Sequence, residues 1–320
     1  MSSAELPKVR NKLLRILRNE IDRRLDTSLH KSVKIDLGME DQQQQVGKHK
    51  IKLVSEDSSA ISKPGMPSFV DRVLMLLNRQ PAESIPLSAT QKIVEVFERP
   101  DIQGKLLILG EPGSGKTTEL LHLAKDLVEG ASQDKNLPIP LILELSTWKE
   151  SESMQQWIAD TVKKQYGLAP KITDQWLQQD DIFLLLDGLD ELGLMNQKKC
   201  IGAINAFMTK KVRYGLVVCC RREEYEAGQI KLDSLNGAVY LEPLREEQIQ
   251  TFFKQLNRSS IWQQIRTNSK LVELARSPLF LSMMVVAYQG RGIASQADLF
   301  DAFIAQKLRE GSNNVYPPNK

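Results

Sequence analysis

The sequence predicts an α/β fold: a five-stranded parallel sheet covered by helices on both faces, with a helical region before it and a small all-helical subdomain after it. Three observations carry this. Short, near-continuous apolar runs recur between residues 105 and 242. Helix-period stretches separate them, and after Pro243 the strand pattern stops while the helix pattern continues. Apolar runs without alternation mark strands buried on both faces, as crossover helices on a parallel sheet require.

The first element is basic. Residues 8–34 carry Lys8, Arg10, Lys12, Arg15, Arg18, Arg23, Arg24, Lys31 and Lys34, with apolar residues at Val9, Leu13, Leu17, Ile21, Leu25 and Leu29. A spacing of four keeps neighbours on one helix face. It also drifts by about 40° per step on a helix of about 3.6 residues per turn. Residues 1–35 therefore predict a bent helix or two helices, packed on their own protein. Such a basic amphipathic face can also touch a membrane, nucleic acid or, the favoured of these, a partner helix of another protein or a second copy. Residues 36–68 hold Gln42-Gln43-Gln44-Gln45, then SEDSSA, then Pro64-Gly65-Met66-Pro67, the composition of a linker or weakly ordered segment. Phe69–Asn78 turns apolar again and predicts a short helix within a lead-in over residues 69–103.

The core spans residues 104–243. KLLILG (105–110), LILELS (141–146), DIFLLLD (181–187), LVVCC (216–220) and AVYLE (238–242) read as strands. Lys116–Glu129, Met154–Tyr166 and Ile201–Val212 read as the helices between them. In residues 244–320, helices are predicted over Glu246–Leu256, Ser269–Arg276, Leu279–Tyr288 and Ala297–Arg309.

Composition narrows the function classes. Hydrophobic residues make up 41% and charged residues 26%, which excludes wholesale disorder. Lys+Arg 43 against Asp+Glu 40 leaves +3, too mild to argue for nucleic acid or an anionic membrane across the molecule. No apolar run approaches the roughly 18 residues that a membrane span needs, and the first residues lack the apolar stretch of a signal peptide. Cys200, Cys219 and Cys220 are odd in number, and two are adjacent. With no C-x-x-C spacing, they exclude a disulfide framework and read as buried thiols in a reducing cytoplasm.

The chemistry lies in three motifs. Gly110-Glu111-Pro112-Gly113-Ser114-Gly115-Lys116-Thr117, followed by Thr118, matches G-x-x-x-x-G-K-[ST] between a strand and a helix. Ordinary residue frequencies put a chance match at about one per hundred chains of this length. Its glycines let successive N–H groups point inward at phosphate oxygens, and the helix N-terminus adds unpaired donors. Lys116 is placed to reach the β- and γ-phosphates, and Thr117 to bind Mg²⁺. The second motif is the strand Ile182–Asp187 followed by Gly188-Leu189-Asp190-Glu191. Asp187 is the Mg²⁺-side carboxylate. Asp190 and Glu191 are the candidates for general base or water-positioning group, Glu191 the favoured one. The third is Arg221 at the end of LVVCC, where a cation can sense the γ-phosphate, with Arg222 as alternate and a structural ion pair as the competing reading. A Pro that starts a helix, as in Ser277-Pro278-Leu279, means nothing alone.

Taken together, GEPGSGKTT (110–118), LLLDGLDEL (184–192), VVCCRREEY (217–225), LEPLREEQI (241–249) and SPLFL (277–281) resemble the NACHT family of signal-transducing P-loop NTPases, in that order along the chain. The small residue after Asp187, followed by Leu-Asp-Glu, is the most specific element. SLHKSVKIDLGME (28–40) also resembles segments upstream of bacterial, especially cyanobacterial, members. The resemblance implies a sheet ordered as in the AAA+-like branch, with the P-loop strand central. It implies that Pro278 contacts adenine, that Arg221 is the sensor arginine, and that the cofactors are ATP or ADP with Mg²⁺. It further implies a switch, closed and monomeric with ADP, open and oligomerising with ATP. Family members usually continue into a winged-helix domain and sensor repeats; this sequence reads to Lys320 without either.

Three functions compete at this point: an ATP-hydrolysing regulatory switch, a nucleotide-dependent scaffold with negligible turnover, and a DNA-acting AAA+ ATPase. The Asp187-Gly188-Leu189-Asp190-Glu191 pattern points away from the third. No N-K-x-D guanine-reading motif and no LSGGQ-like segment is present.

Overall fold

The computed structural model describes residues 6–27, 35, 37–47, 92–209, 215–288 and 295–315, with side chains as far as residue 309. The helix expected over Phe69–Asn78 lies outside the described residues.

The sheet has six strands rather than five, in the order β1–β6–β2–β5–β4–β3. They are β1 (Met39–Asp41), β2 (Lys105–Gly110), β3 (Ile139–Glu144), β4 (Ile182–Asp187), β5 (Leu216–Arg221) and β6 (Gly237–Leu241). Strands β2 to β6 pair in parallel, and β2 lies between β6 and β5. The strand that precedes the P-loop is therefore interior, and β5 separates it from the strand that ends in Asp187. Every residue of β4 is buried, as are all but the first of β2 and all but the last of β5. Since successive side chains point to opposite faces, both faces of the sheet are covered.

The sixth strand corrects the five-strand expectation. Met39, Glu40 and Asp41 pair antiparallel with Leu241, Tyr240 and Val239 and cover the outer edge of β6. Gln42 continues the contact, its N–H donating to the Ala238 carbonyl at 2.8 Å, and its side chain is buried. Composition alone reads this stretch as weakly ordered; pairing with an otherwise open strand edge orders residues 37–47. The rest of the expected linker, residues 48–68, lies outside the described residues.

Of the two alternatives for the N-terminal region, a bent helix or two helices, the second does not hold: α1 (Leu6–Thr27) is one continuous helix. It buries Leu13, Leu14, Leu17 and Ile21. The steps Leu14–Leu17–Ile21 advance seven residues in two turns, which drifts only about 20° and keeps the stripe on one face. That face packs on α3 (Lys116–Gln133), the helix that follows the P-loop, and on β3. Arg10 fastens the other end, its guanidinium donating to the carbonyls of Ala131, Asp134 and Leu137 at 2.9, 3.4 and 2.7 Å. These are carbonyls at the end of α3 and just beyond, where a cation is favoured.

Between the strands lie α2 (Ile93–Phe97), before β2, then α4 (Met154–Tyr166), α5 (Pro170–Gln178), α6 (Leu194–Thr209) and α7 (Arg222–Gly228). Local chemistry sets the ends of α4. Ser153 accepts from the Gln156 N–H at 3.2 Å at its start, and Gly167 takes a left-handed conformation at its end. After β6 come α8 (Glu246–Gln255), α9 (Ser259–Ile265), α10 (Ser269–Ala275), α11 (Pro278–Ala287) and α12 (Gln296–Val315). The described subdomain thus has five helices where the sequence predicts four. The added one, α9, is too short for its periodicity to stand out from sequence.

Candidate functional site

The parallel register brings the chemical groups together. Gly110 at the end of β2 pairs with Arg221 at the end of β5, and Glu144 at the end of β3 pairs with Asp187 at the end of β4. Ligands of open α/β sheets bind at these carboxyl ends.

From β2 the chain turns through Glu111, Pro112, Gly113, Ser114 and Gly115 into α3, whose first residues are Lys116, Thr117 and Thr118. Gly113 has φ +74°, and a Cβ there would come within 2.8 Å of Leu279 Cβ. Its carbonyl accepts from the Leu279 N–H at 3.2 Å and from Ser277 Oγ at 3.3 Å. The P-loop thus satisfies an otherwise unpaired donor in the first turn of α11. Buried Pro278 sits between these two contacts, so the structure brings it to the edge of the loop. Gly113→Ala is expected to cost about 1–3 kcal/mol, through left-handed strain and the clash with Leu279. The check is a lower denaturation midpoint at unchanged slope.

Lys116 Nζ donates to the carbonyls of Gly110 and Glu111 at 2.8 and 3.0 Å, which folds the side chain over the loop. Burial lowers its pKa, an effect that the nearby Asp190 charge opposes. Thr117 Oγ1 donates to Asp187 Oδ2 at 2.7 Å. Burial raises the pKa of Asp187, against the Thr117 hydrogen bond and the charges of Arg24 and Lys116. Ser114 Oγ is buried in the loop with no hydrogen-bond partner, an orphan that a phosphate oxygen can satisfy.

These groups fit Mg²⁺, which takes hard oxygen ligands and keeps several waters. Among the described residues no set of three or more His, Cys, Asp or Glu side chains is arranged to hold a metal by itself. The protein would supply Thr117 and Asp187, and phosphate and water the remaining ligands.

The two candidate bases are in different situations. Asp190 is buried and engaged twice by Arg221, its Oδ1 accepting from the Arg221 N–H at 3.0 Å and its Oδ2 lying 2.9 Å from Nε. Glu191 is exposed, with no ion-pair partner among the described residues. Partial burial and the charges of Asp190, Asp187 and Glu144 raise its pKa. Gly188 permits this arrangement: at φ +75° it turns β4 into the 3-10 turn Leu189–Leu192, and Glu191 Cδ lies 3.0 Å from where a Cβ would stand. The small residue after Asp187 thus has a conformational and a steric reason.

Arg221 also pairs with Glu224 at 3.2 Å. Arg222 turns away, pairing with Glu226 and lying over the Tyr240 ring at 5.0 Å. The Tyr240 hydroxyl donates to Glu111 Oε1 at 3.3 Å and tethers the loop to β6. The three cysteines are buried and free, and burial pushes the Cys200 thiol up to about 12.

Residues 105–260 match the NACHT domain family model. This segment, just under half of the chain, is similar to NACHT domains. The P-loop, the Asp187 strand and the Asp190–Arg221 pair all fall inside it, while α1 and β1 precede it and Pro278 follows it. The chain is 25% identical over 210 residues to an uncharacterized WD repeat-containing protein of Nostoc sp., covering 56% of this chain and 14% of that one. It therefore spans about a seventh of that relative's length. Among solved structures, the Aeropyrum pernix ORC1 protein in complex with DNA aligns at TM-score 0.39 and 13% identity, over 78% of this chain and 66% of that one. C. elegans PCH-2 aligns at TM-score 0.33 and 15% identity, over 76% and 68%. The fold assignment of the matched core rests on its own strand order and register.

Sequence reasoning missed three features of the site: the hold of Ser277 and Leu279 on Gly113, the Tyr240–Glu111 tether, and an ion pair between Arg24 of α1 and Glu144. Each joins residues more than 100 apart in the chain, and no local pattern announces such a pair.

Proposed function

We propose that the NACHT domain binds ATP with Mg²⁺ and hydrolyses it slowly, and that the ADP and ATP states control self-association or the binding of a protein partner in the cytoplasm. The supporting observation is the 2.7 Å contact between Thr117 and Asp187 at the mouth of the P-loop, with Glu191 exposed and without an ion-pair partner among the described residues. Backbone N–H groups of the loop cradle the phosphates, and Lys116 exchanges the Gly110 and Glu111 carbonyls for β- and γ-phosphate oxygens. Mg²⁺, held by Thr117 and Asp187, would supply positive charge that offsets the charge developing as the bond to the γ-phosphorus breaks. Glu191 takes the proton of the attacking water, and phosphate and ADP result. Asp190 is assigned to hold Arg221 toward the γ-phosphate, on the two contacts between them; the sensor role of Arg221 and the adenine contact of Pro278 rest on the resemblance to the family. Free buried thiols suit a reducing compartment. Among the described residues no helix is long and apolar enough to cross a membrane.

One observation favours a scaffold with negligible turnover instead. Arg221 is engaged by two carboxylates, Asp190 and Glu224, which compete with a phosphate for it. The test is mass in solution, with ADP and with a non-hydrolysable ATP analogue, alongside phosphate release. A mass that changes with nucleotide, together with Mg²⁺-dependent release, supports the switch. Equal masses contradict it, and a change in mass without release supports the scaffold.

A further inference from the structure

We propose that Arg24, on the N-terminal helix, engages the γ-phosphate end of the nucleotide and makes the site prefer a triphosphate to a diphosphate. This deepens the proposed function and rests on the P-loop being an ATP site. Arg24 lies on α1, outside the residues that match the NACHT model. Its Nη2 stands 3.6 Å from Glu144 Oε1. Glu144 ends β3 and is the register partner of Asp187 at the end of β4. Paired positions on neighbouring strands present their side chains to the same face. Glu144 and Asp187 therefore share a face, and α1 packs against β3 and α3 beside it. The Lys125–Asp22 ion pair at 2.7 Å ties α1 to α3 there.

Thr117 and Asp187 would hold the metal, whose charge would serve the β- and γ-phosphates, so they mark that end of the site. The helical subdomain touches the loop elsewhere, at Gly113. A cation carried by α1 thus arrives at the γ end. Arg24 is the right cation for this. It is mostly buried at 23% side-chain exposure, whereas Arg15 and Arg18 on the same helix are exposed. A γ-phosphate adds negative charge beside Glu144 and Asp187, and a planar guanidinium can exchange the 3.6 Å Glu144 contact for a phosphate. A diphosphate presents no such group.

The test is calorimetric titration of the wild type, Arg24→Gln, Arg24→Lys and Arg15→Gln, each with Mg²⁺-ADP and with a non-hydrolysable Mg²⁺-ATP analogue. Arg24→Gln is expected to weaken the analogue about tenfold, as for one charge-assisted hydrogen bond, and ADP by less than about twofold. Arg24→Lys recovers part of the loss, and Arg15→Gln changes neither. Equal loss for both nucleotides, or none, overturns the proposal. Should Arg24→Gln not fold, Glu144→Gln decides: with its carboxylate partner gone, Arg24 is freed, and the analogue tightens while ADP does not. Any other result with that variant overturns the proposal. A wild type that binds neither nucleotide removes the ATP reading itself; a wild type that binds both, with an unchanged Arg24→Gln, removes only this inference.

Discussion

Lys116→Ala is expected to abolish measurable nucleotide binding while the fold survives. Lys116 is placed to give charge-assisted hydrogen bonds to two phosphates, each worth about 1.5–3 kcal/mol. Losing both weakens binding by about 10²- to 10⁴-fold, since each 1.4 kcal/mol is about tenfold. The cost to stability is small, because Nζ bonds only the carbonyls of Gly110 and Glu111, and water can reach a part-buried loop. Titration with ATP, together with a thermal melt, checks both halves. An affinity within about threefold of the wild type would remove the phosphate role of the loop.

Glu191→Gln has the second largest expected effect: ATP still binds, hydrolysis falls by about 10²- to 10⁴-fold, and the protein accumulates with ATP in place. Glu191 is exposed and has no ion-pair partner among the described residues, while both oxygens of Asp190 are taken by Arg221. Asp190→Asn should therefore act through Arg221, lowering stability by loosening the β5 end. Unchanged hydrolysis in Glu191→Gln would move the base to Asp190. The pH profile gives an independent sign. A general base works only when deprotonated, and neighbouring charge and partial burial raise the Glu191 pKa. Turnover is therefore lost on acidification at a pH above the ordinary glutamate value of about 4.3, and this acid limb is absent from what remains in the Gln variant.

Particular residues show how far the sequence could be read. Ile182–Asp187 and Leu216–Arg221 are strands whose burial on two faces leaves an uninterrupted apolar run, so periodicity finds them to within a residue or two. The P-loop is legible for another reason: phosphate binding dictates glycines, a lysine and a hydroxyl at set spacing. Met39–Asp41 is not legible, because three residues with two acids carry no strand pattern; the open edge of β6 makes them a strand. The helices Pro170–Gln178, Arg222–Gly228 and Ser259–Ile265 are too short to show a period and depend on tertiary packing.

At the site, sequence places Lys116, Thr117, Asp187, Asp190, Glu191 and Arg221 near one another but cannot say which pairs close. The fold closes Thr117 on Asp187 and Asp190 on Arg221, and leaves Glu191 open. Arg24 is one of nine basic residues between positions 8 and 34, and only the packing of α1 across α3 singles it out.

On the proposed function, the P-loop is a Mg²⁺-nucleotide site completed by Thr117 and Asp187. Calorimetric titration of the nucleotide-free wild type with ATP, in Mg²⁺ and again in EDTA, tests it most directly. The predicted result is saturable one-to-one binding in Mg²⁺ that weakens markedly in EDTA. Absence of saturable binding in Mg²⁺, or an affinity indifferent to EDTA, would contradict it.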